Sequence, residues 1–354
     1  MSCKLQVKEV FAYYLPQFHE IKENNEWWGE GFTEWVNVKN AKKIYRDQEI
    51  LTPGELGYYN LSDVSVIEKQ YSLAAKHGIS SFCFWHYWFG DDDLLLEKPA
   101  EKIINSDLSV RFCFAWANHS WWNKSKNILL KEQKYDFSIE KYFNYLLKFF
   151  NDERYTKIEN KPVFVIYKPL DIPNLDIFKR KFDQYAINHG FNGIFWIAEN
   201  SNSDIAAKYN FDYYLNSAPF LKYRSLLRKA IDRIIIKLSQ HNIRIPRRYD
   251  YKKCIESINS HVKDNKEIPL VFPRWDSTIR HGKGGMYVHK STPELFEYHL
   301  SICQKILKDR ELKDRILFVK SWNEWAEGNF IEPDNVYGDE YLRAFSKYFE
   351  IHNV

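Results

Sequence analysis

Residues 318–334 read FVKSWNEWAEGNFIEPD. An apolar run that begins at Ile316 breaks here into two tryptophans and two carboxylates, all between Trp322 and Glu327. A short apolar run without alternation is the mark of a strand buried on both faces, as in parallel sheets. Seven runs upstream share the pattern: VKEVFAYYLP (7–16), ISSFCFWHYW (79–88), VRFCFAWAN (110–118), PVFVIYKP (162–169), GIFWIAEN (193–200), FDYYLN (211–216) and PLVFPRWD (269–276). Amphipathic stretches separate most of them. DVSVIEKQYSLAAKHG (63–78) ends on a glycine C-cap signal, SIEKYFNYLLKFFND (138–152) follows, and TPELFEYHLSICQKILKD (292–309) carries Pro293 in its first turn. Strand–helix alternation with eight strands predicts an α/β chain folded as a (β/α)8 TIM barrel. A doubly wound open sheet is the competitor, but no GxGxxG follows the first strand and no P-loop is present.

The chain has 354 residues, enough for the whole of 1–354 to form a single barrel domain. It is 45% hydrophobic and 28% charged, which indicates a packed core rather than disorder. Aromatic residues make up 17%, with 12 Trp and 24 Tyr, and rings in such number also suit a cleft that stacks on flat ligands such as sugars. A net charge of +4 is too mild to indicate nucleic acid as a partner. The five cysteines contain no CxxC pair, and Cys83 and Cys113 sit inside apolar runs, so reduced thiols and a cytoplasmic location are expected. No secretion signal or membrane-spanning run is read in the sequence.

One region exceeds a minimal barrel. Residues 221–253, LKYRSLLRKAIDRIIIKLSQHNIRIPRRYDYKK, carry eleven Lys/Arg against Asp232 and Asp250. Leu227, Ala230, Ile231, Ile234, Ile235 and Leu238 fall at helical spacing, with Arg228, Lys229, Arg233 and Lys237 off that stripe. A basic helical insertion after strand six, about 221–258, is expected. It reads either as a barrel helix with a solvated basic face or as peripheral membrane contact through 221–253, at the inner face of the membrane.

Barrel chemistry gathers at the C-terminal ends of the strands. The residues there are Tyr14, Gln17 and His19 after strand one, and His86, Tyr87 and Trp88 after strand two. Trp116, Asn118 and His119 follow strand three, Tyr167 and Lys168 strand four, and Glu199 strand five. Arg274, Trp275 and Asp276 follow strand seven, and Trp322, Asn323, Glu324, Trp325 and Glu327 strand eight. Two carboxyls three residues apart on a helical turn, in a partly dry cleft, cannot ionise equally. That asymmetry supplies one acid and one base, the pair that glycosidic bond chemistry needs. Trp322 and Trp325 are expected to wall the site. No HxH or HExxH spacing points to a metal. The run Asp91–Asp93 resembles the DxD of metal- and nucleotide-dependent sugar transferases, while HGKGGMY (281–287) reads as a loop near the site.

FAYYLPQFHEIKENNEWWGEGFTEW (11–35), PGELGYYNL (53–61), FCFWHYWF (82–89), FAWAN (114–118) and SWNEWAEGNFIEPD (321–334) together resemble the WbsX-like family. Its members occur in bacterial lipopolysaccharide and capsule clusters, and its domain is similar to the endo-α-mannosidases of glycoside hydrolase family 99. The resemblance runs from about residue 8 to 345 and implies the same (β/α)8 barrel. It adds Trp28 and Glu34, in the first motif, to the substrate-binding residues. It implies that Glu324 acts as base on a sugar 2-hydroxyl and that Glu327 protonates the leaving oxygen. Retention through an anhydro-sugar would follow, with no metal, nucleotide or other cofactor.

The resulting expectation is an enzyme acting on an α-mannoside-like bond in an oligosaccharide or glycolipid of surface polysaccharide. Its rivals are a nucleotide-sugar-dependent glycosyltransferase with Asp91 or Asp93 on a metal, and a catalytically silent glycan-binding barrel.

Overall fold

The computed structural model describes residues 4–352 apart from 124–125, 219–220, 222–224, 241–242, 244, 260–261 and 263. Parts of the expected insertion, at 222–224, 241–242 and 244, therefore lie outside the described residues. The eight predicted strands are all present: β1 (Glu9–Tyr14), β2 (Ser81–Gly90), β3 (Phe112–Trp116), β4 (Lys161–Ile166), β5 (Phe195–Glu199), β6 (Tyr213–Leu215), β7 (Leu270–Val271) and β8 (Ile316–Val319). They lie side by side in the order β6-β5-β4-β3-β2-β1-β8-β7, each pair parallel. The two edges meet where Tyr214 pairs in parallel with Glu267, just ahead of β7, and the Ile268 amide donates to the Tyr214 carbonyl at 2.8 Å. This bridge brings the edges together into the nearly closed parallel barrel that the alternation of runs predicts.

The crossovers are α1 (Ser65–Lys76), α2 (Lys98–Ile104), α3 (Ile139–Phe150), α4 (Leu175–Asn188), α5 (Ser203–Lys208), α6 (Leu226–Gln240) with α7 (Tyr251–Asn259), and α8 (Pro293–Lys308). Helix α9 (Glu340–Ser346) follows β8. Side-chain caps start three of them: Ser138 accepts from Lys141 N, Asn202 from Ile205 N and Thr292 from Leu295 N. Helix α3 buries Tyr142, Phe143, Leu146, Phe149 and Phe150, one stripe at helical spacing.

Side chains on a strand alternate faces, so each aromatic run feeds two layers. Tyr13 stacks on Trp85 with centroids 4.7 Å apart, and Phe318 packs against Phe11 and Tyr13 inside the barrel. Their neighbours turn outward: Tyr14 reaches Gln70 of α1 at 2.6 Å, and Phe114 packs on Phe149 of α3.

The seventh run does not continue to Asp276 as one strand. Pro273, which has no amide to donate, follows β7, and Trp275–Asp276 then pair with Met286–His289. Arg247–Asp250 completes this three-stranded sheet. Helix α7 buries Tyr251, Cys254, Ile255 and Ile258, with the Tyr251 ring 5.2 Å from Phe272, so it covers the barrel as a crossover helix does. Within the expected insertion, the excess over a minimal barrel is thus α6 with Arg247–Asp250.

The predicted solvated basic face of α6 is only half correct. Asp232 is fully buried, held by Arg228 at 3.0 Å and by the Tyr249 hydroxyl at 2.9 Å. That anchoring turns Leu227 and Ile234 out to solvent. Among the described residues no helix is long and apolar enough to cross a membrane.

Candidate active site at the end of β8

Beyond Val319 the chain forms a two-residue pairing of Asn323–Glu324 with Asn329–Phe330, closed by a 3-10 turn over Trp325–Glu327. Gly328 completes it at φ +51, where a Cβ would sit 2.7 Å from that of Asp276. This compact turn delivers Glu324 and Glu327 into a cavity of about 1220 Å³ at the strand ends. Of the other residues anticipated from sequence, Gln17, Trp28, Glu34, Tyr87, His119, Tyr167, Lys168 and Trp275 line it as well.

Glu324 is 5% exposed, and its Oε1 accepts from Trp85 Nε1 at 2.8 Å. Burial pushes its carboxyl above the usual range; Lys320 opposes, and Glu327 adds to the rise. Lys320 lies on the cavity floor, 3.9 Å from Glu199, with its ammonium over the rings of Tyr13 and Trp85. Burial works against the ammonium, yet Glu324 and Glu199 hold its pKa above normal. Glu199 has no exposed surface and takes a 2.7 Å hydrogen bond from Tyr13, so β1 and β5 are tied across the barrel beneath the floor.

Arg280 joins two carboxylates. Its Nη1 meets Glu327 at 2.8 Å and its Nη2 meets Glu34 at 3.0 Å. Burial opposes its charge, and the surrounding Glu34, Glu327 and Glu324 overcome it. The segment carrying Arg280 approaches closely because a Cβ on Gly285 would lie 2.7 Å from the Ser277 carbonyl. The glycine-rich stretch expected near the site thus contributes His281, Gly284, Gly285 and Met286 to the wall.

Other anticipated residues do not line the cavity. Tyr14, His86, Trp88 and Trp116 point outward by strand alternation: His86 stacks between Tyr142 and Tyr145 with its pKa pushed down to about 3 by burial, and Trp116 packs on Phe178. His19 is buried with Nδ1 2.9 Å from the Pro16 carbonyl, and burial lowers it to about 4. Asn118 binds the Lys168 backbone at both N–H and C=O, and Asn323 does the same to Leu15; each ties two loops together. Arg274 pairs with Asp334 at 2.9 Å, and Asp276 accepts from Gln48 and Thr278. Trp322 and Trp325 do not wall the site. Both rings are buried beneath it, Trp322 against Phe82 and Trp325 stacked on Phe330 at 3.6 Å.

The walls are instead Trp28, Trp85, Trp121, Trp122, Tyr87, Tyr167 and Trp275. Trp85, Trp121, Trp122, Lys320 and Arg280 were missed by sequence reasoning. Alternation counted from Tyr87 would have exposed Trp85; nothing local marks Arg280. Asp91–Asp93 do not line the cavity: Asp91 accepts from Ser138 N, and Asp93 pairs with Lys131 at 2.5 Å. Among the described residues no cluster of three His, Cys, Asp or Glu has the spacing to hold a metal ion.

The parallel eight-stranded barrel thus carries two carboxyl groups in a ring-walled cavity at the C-terminal ends of its strands. The structure is similar to one described as a glycoside hydrolase-like protein, with a TM-score of 0.64 at 14% identity, covering 98% of this chain and 95% of that one. It is also similar to the GH99 endo-α-mannosidase of Bacteroides thetaiotaomicron, with a TM-score of 0.57 at 14% identity over 97% of both chains. The family described as glycosyltransferase WbsX matches residues 10–345, and the chain belongs to that family. Two strains of Xanthomonas campestris pv. campestris each hold a relative named uncharacterized protein WxcX, 27% identical over 349 residues. The match takes in 95% of this chain and 48% of the relatives, so the chain spans about half their length.

Proposed function

We propose that this protein is a carbohydrate-active enzyme of surface polysaccharide metabolism that acts with retention on an α-mannoside-like glycosidic bond. The observation that carries the reading is the pairing of a buried carboxyl of raised pKa, Glu324, with the more open Glu327 in one ring-walled cavity. A carboxylate base works best when its pKa approaches the working pH, and burial of Glu324 moves it that way. Glu324 accepts the proton of the sugar 2-hydroxyl as that oxygen attacks C1. Glu327, once it has taken up a proton in the substrate complex, donates it to the departing oxygen, and the C1–O bond breaks to leave an anhydro-sugar. An incoming hydroxyl, deprotonated by Glu327, then opens that ring at C1, and Glu324 returns its proton to the 2-oxygen. Two inversions give net retention. Trp28 and Trp122, both about half exposed at the cavity, offer flat faces to further sugar rings of an oligosaccharide.

The four described cysteines are free and buried, which supports work in the reducing cytoplasm. A second reading, favoured by the family's description, is that the incoming hydroxyl belongs to a sugar acceptor rather than water. Glu324→Gln and Glu327→Gln, assayed on α-mannosides with product anomers read by NMR, test the proposal. Each change should lower turnover at least about a hundredfold. Losses under tenfold in both, or inverted product, would refute it. Wild-type activity that appears only with a nucleotide sugar and a divalent cation would refute it too.

A further inference from the structure

Helix α6 displays its apolar side to solvent. Leu227 is 73% exposed and Ile234 60%, two turns apart on one stripe, and Leu226 just ahead is 83% exposed. The inward side is polar: Arg228, the buried Asp232 and Tyr249 hold one another. Asp232 is the only acidic residue of the helix, and it is paired. Along one border of that stripe run Arg233 and Lys237, both exposed and positive. An apolar stripe flanked by cations is the arrangement of a helix lying in an anionic membrane interface, where the side chains enter the acyl boundary and the cations meet headgroups. A protein partner matched to this face would have to be acidic and apolar at once; an anionic bilayer offers both along any direction.

The position of the helix carries the inference further. The residues on either side of it, Leu221 and Arg247, line the cavity of Glu324 and Glu327. We propose that α6 lies on an anionic membrane surface and holds the cavity mouth against glycans carried on lipid. The substrate class rests on the proposed function; the membrane contact does not.

The test uses the full chain with phosphatidylcholine vesicles containing or lacking phosphatidylglycerol, at low salt. Wild type should bind the anionic vesicles at least about tenfold more tightly than the neutral ones. Leu227→Asp with Ile234→Asp should lose at least about tenfold of that binding, and Arg233→Glu with Lys237→Glu should lose the preference for anionic lipid. Both double variants should keep wild-type turnover on a soluble glycoside, while Leu227→Asp with Ile234→Asp should lose turnover on a glycolipid embedded in anionic vesicles. Glu324→Gln should bind vesicles as wild type does, which separates failure of this inference from failure of the catalytic one. Absence of vesicle binding, or binding that both double variants retain, would overturn it. So would a wild-type dimer that Leu227→Asp with Ile234→Asp dissolves in the absence of any vesicle binding, since the face would then belong to a second copy.

Discussion

Replacing Lys320 by methionine isolates the electrostatics of the proposed base. The methionine keeps most of the buried stem among Tyr13, Trp85 and Trp275 and removes only the charge. Lys320 is the largest influence holding the Glu324 carboxyl down against burial. An opposite charge at close range is worth about 1–3 pKa units. Its loss should therefore raise Glu324 further. If Glu324 must be ionised to take the 2-hydroxyl proton, the acid limb of kcat/KM should move up by about 1–3 pH units. Below that limb each unit should cost about tenfold in rate. The substitution also strands Glu199, which has no exposed surface, and breaking a buried pair costs about 3–5 kcal/mol. Lys320→Met with Glu199→Gln removes the stranded charge. It should recover most of the stability, seen in urea unfolding, and retain the displaced limb. A limb that stays in place or moves down in both variants would refute the role given to Lys320, and with it the ionised Glu324 as base.

Trp85→Phe keeps a wall ring but deletes the 2.8 Å donor to Glu324 Oε1, so kcat should fall by about tenfold to a hundredfold with melting temperature little changed. Glu332, buried and bonded by Trp325, Tyr59 and Gln70, is raised to about 7 from 4.5. A carboxyl raised by folding supports the fold while protonated, so its contribution is whole below pH 4.5 and lost as pH rises through 7. Denaturant titrations should show wild type losing roughly 3 kcal/mol over that window that Glu332→Gln does not lose. Gly328→Ala forces a side chain into left-handed backbone and against Asp276, and should destabilise by about 2–4 kcal/mol in urea unfolding.

The barrel was legible because parallel strands covered on both faces must be apolar throughout, and eight such runs stand out between amphipathic helices. The end of β8 was legible for a similar reason: chemistry-bearing residues that interrupt an apolar run sit where the strand leaves the core. Reading inward from there, local pattern lost its hold. In FWHYW, residues 84–88, every side chain is aromatic, so composition alone does not distinguish Trp85 and Tyr87 in the cavity from His86 and Trp88 against the helices.

Sequence by itself determined the strands, their order of appearance and the placement of Glu324 and Glu327 past the last of them, because these follow from local hydrophobicity and chain order. Tertiary structure alone decided which face each ring shows, since that depends on the register of each strand against its neighbours. It brought Arg280 from the far side of β7 onto Glu34 and Glu327, and set Lys320 between Glu199 and Glu324, because charges pair through space and not along the chain. It also rolled α6 so that the buried Asp232 with its half-buried partner Arg228, rather than the exposed Leu227 and Ile234, faces the protein.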